Sequence, residues 1–125
     1  MFQMLIVDDN APFRQSLREM LREQFSTMGV EEAEDGEDAL NKIETISPHL
    51  VFMDIKLPGQ NGLKVTREIK ARHPRVRVII LTSYDLPEYR EAAENCGADY
   101  FLSKGSSSRE EIITLVDSIS SEIME

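Results

Sequence analysis

Short apolar runs alternate with stretches of helical periodicity along the whole 125-residue chain. Met4-Leu5-Ile6-Val7, Leu50-Val51-Phe52-Met53, Val78-Ile79-Ile80-Leu81 and Tyr100-Phe101-Leu102 are each bounded by polar or turn residues. Runs of this length and composition read as buried strands. A fifth, weakly patterned strand is expected over residues 30–34. Between the first two strands Phe13, Leu17, Met20, Leu21 and Phe25 recur at helical spacing. Asn10 is the expected N-cap of that helix, and Pro12 falls in its first turn, where a missing N–H costs little.

The other helices follow the same logic. Asp35-Gly36-Glu37-Asp38 opens one that carries Ala39, Leu40, Ile43 and Ile46 and ends at Ser47-Pro48. The turn Pro58-Gly59-Gln60-Asn61-Gly62 precedes one with Leu63, Val65, Thr66 and Ile69, which stops before His73-Pro74. Asp85-Leu86-Pro87-Glu88 predicts a fourth start with an acidic cap, and Gly97 its C′ residue. Ser108 and Glu111 have capping-box spacing ahead of Ile112, Leu115, Val116, Ile119 and Ile123. Five strands alternating with five helices predict an α/β fold, a three-layer sandwich built on a parallel sheet. No linker, repeat or low-complexity tract divides residues 1–125, so one domain is expected.

Parallel strands align their C-terminal ends on one edge, where open α/β sheets place ligands. That edge receives Asp8-Asp9, Asp54, Thr82-Ser83 and Ser103-Lys104. Unit charges about 4 Å apart interact by ~4 kcal/mol at an effective dielectric near 20. Three carboxylates there repel one another unless a proton or a cation intervenes. No His or Cys is near a strand end, which disfavours a soft metal, whereas carboxylates with a backbone carbonyl and water suit Mg²⁺. Lys104 supplies a compact positive charge and Thr82 a hydroxyl donor. Such a set can stabilise a transferring phosphoryl group, with Asp54 as the natural nucleophile because it stands alone at its strand end.

The overall charge narrows the partners. Lys and Arg number 14 against 23 Asp and Glu, a net charge of −9. An acidic surface repels phosphate backbones, so this domain alone is not expected to bind nucleic acid. No apolar stretch is long enough to span a membrane, and no basic signal-peptide start is visible. The lone Cys96 excludes an internal disulfide, is expected to pack as a small hydrophobe, and fits a reducing cytoplasmic setting.

Val7-Asp8-Asp9-Asn10, the run from Met53-Asp54 to Asn61-Gly62, Leu81-Thr82-Ser83 and the run from Gly97-Ala98 to Ser103-Lys104 resemble the receiver domain of two-component response regulators. The resemblance covers essentially the whole chain, and the motifs occur in order at separations of 45, 28 and 22 residues (Asp9 to Asp54 to Thr82 to Lys104). It implies the strand order 2-1-3-4-5. It also implies that Asp54 accepts a phosphoryl group from the phosphohistidine of a sensor histidine kinase. Asp9 and Asp54 then ligate Mg²⁺ directly, Asp8 acts largely through water, and the carbonyl of Lys56 completes the protein ligands. Thr82 bonds a phosphoryl oxygen, Lys104 pairs with the group, and Phe101 is the aromatic whose rotamer follows activation. The surface of the fourth helix, fifth strand and fifth helix is expected to change its preference for a partner or a second copy. The resemblance describes a switch that catalyses only its own phosphorylation and dephosphorylation, not an enzyme with a separate substrate.

Departures from the family pattern sharpen the expectations. Phe101 replaces the usual Tyr, Ser83 a small Ala, and Gly105 the usual Pro, which predicts a looser entry to the last helix. A non-proline after the lysine also occurs in regulators with a C-terminal helix-turn-helix, a hint of an output domain outside this chain. Lys56 and Tyr84, each two residues past a site residue, are expected to flank the phosphoryl group and slow its hydrolysis. The acidic residues 31–35 are expected to form a solvated edge, Tyr84, Leu86 and Tyr89 to be exposed, and His49 and His73 to lack partners. A purely structural module, or a dehalogenase-type phosphatase, is the rival reading. The second lacks support because Asn10 stands where that family has a second Asp. A flavodoxin-like carrier is disfavoured by the acidic loop after the first strand.

Overall fold

The first strand, β1 (Gln3–Val7), leads through α1 (Ala11–Gln24) to β2 (Gly29–Ala33), and α2 (Gly36–Ile46) leads to β3 (Leu50–Met53). Then come α3 (Gly62–Arg72), β4 (Arg77–Thr82), α4 (Pro87–Asn95), β5 (Tyr100–Ser103) and α5 (Arg109–Ile123). These elements are those of a computed structural model, which describes residues 1–124. The strands form one parallel sheet in the order β2-β1-β3-β4-β5, as expected.

Alternation along the strands divides the core between the two faces of the sheet. Leu5, Val7, Val51, Met53, Val78 and Ile80 pack with Ala39 and Ile43 of α2, Val65 and Ile69 of α3, and Ala93 of α4. Met4, Ile6, Leu50, Phe52, Ile79 and Leu81 pack with Leu17 and Leu21 of α1 and Ile112, Val116 and Ile119 of α5. Every residue of β3 is buried. Full burial of such side chains stabilises by about 1.5–3 kcal/mol each, so the centre of the sheet is the rigid base of the strand-end edge. Cys96 is buried in the first of these clusters, as expected of a small hydrophobe.

Local capping chemistry sets most helix starts. Asn10 Oδ1 accepts from Phe13 N at 3.1 Å, Asp35 Oδ1 from Asp38 N at 2.8 Å, and Asn61 Oδ1 from Leu63 N at 2.8 Å. At α5, Ser108 Oγ accepts from Glu111 N at 3.1 Å while Glu111 Oε1 accepts from Ser108 N at 3.4 Å, a complete capping box. The start of α4 differs from expectation. Leu86 occupies the N-cap without a side-chain bond, and Asp85 instead accepts from Arg90 Nε at 2.6 Å. A guanidinium reaching back from the first turns is a charge-assisted donor and outcompetes a backbone amide for that carboxylate. Gly97, at φ +90°, follows the C-cap Cys96 as predicted.

Four surface expectations also change. Glu32 is half-buried and takes Arg14 Nε at 2.7 Å and Arg18 Nη1 at 3.1 Å, so the acidic edge is partly neutralised by α1. Tyr89 is half-buried because its ring packs on the first core cluster, while Tyr84 and Leu86 are exposed. His49 Nδ1 accepts from Gln3 N at 3.0 Å and its ring stacks on Phe2. His73 meets Glu44 at 3.1 Å.

Gly62 carries a constraint that reaches the site. A Cβ there would stand 1.8 Å from the Asp54 carbonyl oxygen, and Gly62 N donates to Ile55 O at 2.7 Å. The start of α3 therefore packs directly on the backbone that presents Asp54. Gly62→Ala is expected to destabilise by about 2–3 kcal/mol, because backbone must move to relieve the overlap. Gly105→Ala, with only one side-chain atom near and no positive φ, should stay within about 0.5 kcal/mol of wild type. Urea denaturation of both variants measures the contrast.

Candidate functional site

Strand register brings the predicted residues to one place. Val7 pairs with both Ala33 and Met53, and the ladder runs one residue further, with Asp8 N donating to Ala33 O at 3.1 Å and Asp54 N to Val7 O at 3.0 Å. Asp8 and Asp54 are thereby neighbours past the ends of β1 and β3. On the other flank Thr82 pairs with Ser103, and Lys104 N donates to Thr82 O at 2.9 Å. Parallel pairing alone fixes which four strand ends meet.

Asp8 and Asp54 are buried and Asp9 is exposed, with one carboxylate oxygen from each lying within 4.8 Å of the others. Each buried carboxylate has one oxygen held by backbone: Asp8 Oδ1 accepts from Asn10 N at 2.9 Å, and Asp54 Oδ1 from Ile55 N at 2.8 Å. Their other oxygens face Lys104 Nζ, at 2.7 Å from Asp8 Oδ2 and 3.2 Å from Asp54 Oδ2. The ammonium thus sits where like charges would otherwise face one another.

Burial pushes the Asp8 carboxyl above the usual carboxylate range. The Lys104 and Asn10 hydrogen bonds pull it back, and the nearby Asp54 charge raises it again. Burial works against the Lys104 ammonium too, yet the Asp8 hydrogen bond and the charges of Asp54 and Asp8 outweigh it, so its pKa is raised.

The remaining predicted residues join by different routes. Thr82 is buried, and its Oγ1 accepts from Tyr84 N at 3.3 Å. Lys56 belongs to the loop after β3, but its side chain turns from the carboxylates. Its ammonium lies 5.2 Å from the Tyr84 ring centroid and 5.5 Å from that of Tyr89, and the two rings meet edge-on at 6.0 Å. Phe101 is half-buried, packed on the first core cluster, with the Arg90 guanidinium 4.6 Å from its ring centroid. The loop after Lys104 is closed by Gly105 N on Ser103 Oγ at 3.2 Å and Ser107 N on Ser103 O at 2.9 Å. Sequence reasoning missed Arg14, whose Nη1 donates to the Asp8 carbonyl at 2.7 Å, and Phe13, whose ring lies 4.2 Å from Lys104 Nζ. Both stand on α1 just past the acidic pair, but helical spacing assigns Phe13 only to a core face.

The order and geometry match a known family. Residues 4–117 fit the family model of the response regulator receiver domain. The chain belongs to that family. The transcriptional regulatory protein DegU of Brevibacillus brevis is 33% identical over 82% of this chain and 43% of its own length. Chemotaxis protein CheY of Halobacterium salinarum is 37% identical over 82% of this chain and 83% of its own. Among solved structures, the response regulator TrrA of Thermotoga maritima, determined in complex with Mg(2+)-BeF, superposes with a TM-score of 0.85 at 34% identity, covering 95% of this chain and 99% of that one. A two-component response regulator from Clostridium difficile, 22% identical, shares the fold over all of both chains with a TM-score of 0.92. The chain spans about half the length of the first curated regulators it matches, 43% and 50%.

As a receiver domain, the protein offers a divalent cation a set of hard oxygen donors. Three carboxylates within one 4.8 Å cluster, one of them exposed to solvent, fit Mg²⁺, which keeps several waters and takes few protein ligands. Without metal the buried Asp8 charge opposes folding. Its pKa is raised on folding, so the stability it contributes is full below its unfolded pKa and is lost as pH rises through the folded value. Asp8→Asn should therefore raise the melting temperature of the Mg²⁺-free protein at pH 7. The gain should shrink towards zero as pH falls below about 4. Calorimetry across that range in the presence of a chelator measures both.

Proposed function

We propose that this receiver is a phosphorylation switch in which Asp54 takes a phosphoryl group from the phosphohistidine of a sensor histidine kinase. The observation that carries the reading is the state of the Asp54 carboxylate. One oxygen is fixed by Ile55 N, and the other lies at the open cluster of Asp8, Asp9 and Lys104. A carboxylate so oriented attacks phosphorus in line as the P–N bond to the donor imidazole breaks, giving an acyl phosphate. Asp8, Asp9 and Asp54, with the carbonyl of Lys56, hold Mg²⁺. The ion, when bound, neutralises charge on the transferring group.

Lys104 exchanges an Asp8 oxygen for a phosphoryl oxygen, and the Thr82 hydroxyl turns from accepting the Tyr84 amide to donating to the same group. That movement frees Tyr84 and the start of α4 to shift, and Phe101 follows because it packs on the core cluster that holds Ala93 of α4. The face of α4, β5 and α5 then binds a partner, or a second copy, differently in the two states. A role in transcription would need a DNA-binding output region in addition to this domain, in keeping with the transcriptional regulatory protein DegU, of which the chain matches 43%. Among the described residues no helix is long and apolar enough to cross a membrane, and we place the switch in the cytoplasm with its kinase's catalytic domains.

Incubated with Mg²⁺ and a small acyl-phosphate donor, the protein should gain the mass of one phosphoryl group, and Asp54→Ala none. Equal gain by both variants, or none by wild type, sinks the reading. We infer that Lys56 and the Tyr84 ring, in contact with each other after β3 and β4, also shield the phosphoryl group from attacking water. The double variant Lys56→Asn, Tyr84→Ala should lose its phosphoryl group about tenfold faster, a barrier change of about 1.4 kcal/mol. Following decay of the acid-labile phosphoprotein after donor removal decides this, and an unchanged rate rejects the shielding role.

A further inference from the structure

The Lys104 ammonium has three N–H donors and no acceptor. Two contacts are ionic, at 2.7 Å to Asp8 Oδ2 and 3.2 Å to Asp54 Oδ2. The third is the face of Phe13, whose ring centroid lies 4.2 Å from Nζ. That is well inside the ~6 Å over which a ring quadrupole attracts a cation. The Lys104 side chain is only 13% exposed, so the ring covers much of what water would otherwise reach.

Phe13 is itself held by the site. Its N–H donates to Asn10 Oδ1 at 3.1 Å, and the N–H of Asn10 donates to Asp8 Oδ1 at 2.9 Å. Asp8, Asn10, Phe13 and Lys104 form a closed circuit of contacts that returns to Asp8. Beyond the ammonium, the Phe13 side chain packs on the core cluster that holds Leu17 and Ile112. The ring is thereby anchored to α1 and α5 on one side and to the acidic pair on the other.

We infer that Phe13 is a positioning residue for Lys104, holding the ammonium over the cluster while its carboxylate contacts exchange for a phosphoryl oxygen. The inference rests on the phosphoacceptor reading of Asp54. Both ionic contacts of Lys104 involve oxygens that metal and phosphoryl group also claim; the ring contact involves none. An aromatic face attracts a cation over a broad area without fixing one hydrogen-bond direction. It lets the ammonium pivot without leaving the site. An aliphatic side chain of similar size fills the space but offers no negative face.

The test compares phosphorylation rate constants at fixed acetyl phosphate and saturating Mg²⁺ for wild type, Phe13→Leu, Phe13→Met and Phe13→Tyr. Loss of the face should slow Leu and Met about tenfold, the effect of a cation–π contact in a partly dry site. Tyr should recover to within about twofold, because its face is retained. In a Lys104→Ala background, Phe13→Leu should cause no further loss, since the two residues act through one contact. Proton NMR without donor adds a signature: the ring-current displacement of the Lys104 ε-methylene should vanish in the Leu and Met variants while the backbone spectrum is retained. Wild-type rates in both aliphatic variants, a Tyr variant as slow as Leu, or the same loss without Lys104 would each overturn the inference. A wild type that takes no phosphoryl group overturns the phosphoacceptor reading itself, an outcome distinct from these.

Discussion

The contact on which the site depends is that of one ammonium with two buried carboxylates. Asp8 and Asp54 are brought side by side by the pairing of β1 with β3, and neither strand carries a positive charge to offset their repulsion. Lys104, delivered by β5 two strands away from β3, reaches across to both. Charges in such a place are tolerated only when paired. The tension is that of buried charge: burial first, and the Asp54 charge after it, raise the Asp8 pKa against the pull of the Lys104 and Asn10 hydrogen bonds.

The sheet holds this tension because its centre is rigid. A fully buried β3, with helices against both faces, fixes the backbone at Asp54, and Gly62 allows α3 to close upon it. Tyr84 binds Thr82 through its amide and Lys56 through its ring, while Asp85 and Arg90 tie the same loop to α4 and Phe101. Thr82 is thus linked to the start of α4 through Tyr84 and Asp85. That helix lacks a side-chain cap at its N-terminus, and the Asp85–Arg90 pair bonds it to the loop instead.

Much of this was legible in the residues themselves. The apolar runs marked four strands and a weaker pattern the fifth, caps at Asn10, Asp35 and Ser108 marked three helix starts, and the strand-end acids, hydroxyl and amine marked the edge. The signals were local or strictly periodic. Three readings failed and a fourth held only in part, for a common reason. The acidic cap at Asp85, the exposed Tyr89 and the unpartnered histidines failed, while the acidic edge is solvated at Glu31 and Glu34 but paired at Glu32. Each residue met a partner from another element or turn, such as Arg90 for Asp85, Arg14 and Arg18 for Glu32, and Phe2 for His49. Propensity and spacing describe what a residue prefers alone, and a guanidinium or a ring supplied from elsewhere changes the preference.

The sequence by itself determined which chemical groups stand at the ends of the strands, because a strand's end and its first polar residue are set within a few residues. It also determined the alternation of elements, and with it a parallel sheet and a single functional edge. Only the tertiary structure decided how those groups are shared. It assigned one oxygen of each buried carboxylate to backbone and the other to Lys104, turned the Lys56 side chain towards two tyrosines, and set Phe13 against the ammonium. These choices depend on distances of a few ångströms between residues far apart in the chain, and such distances are fixed only when both faces of the sheet are packed.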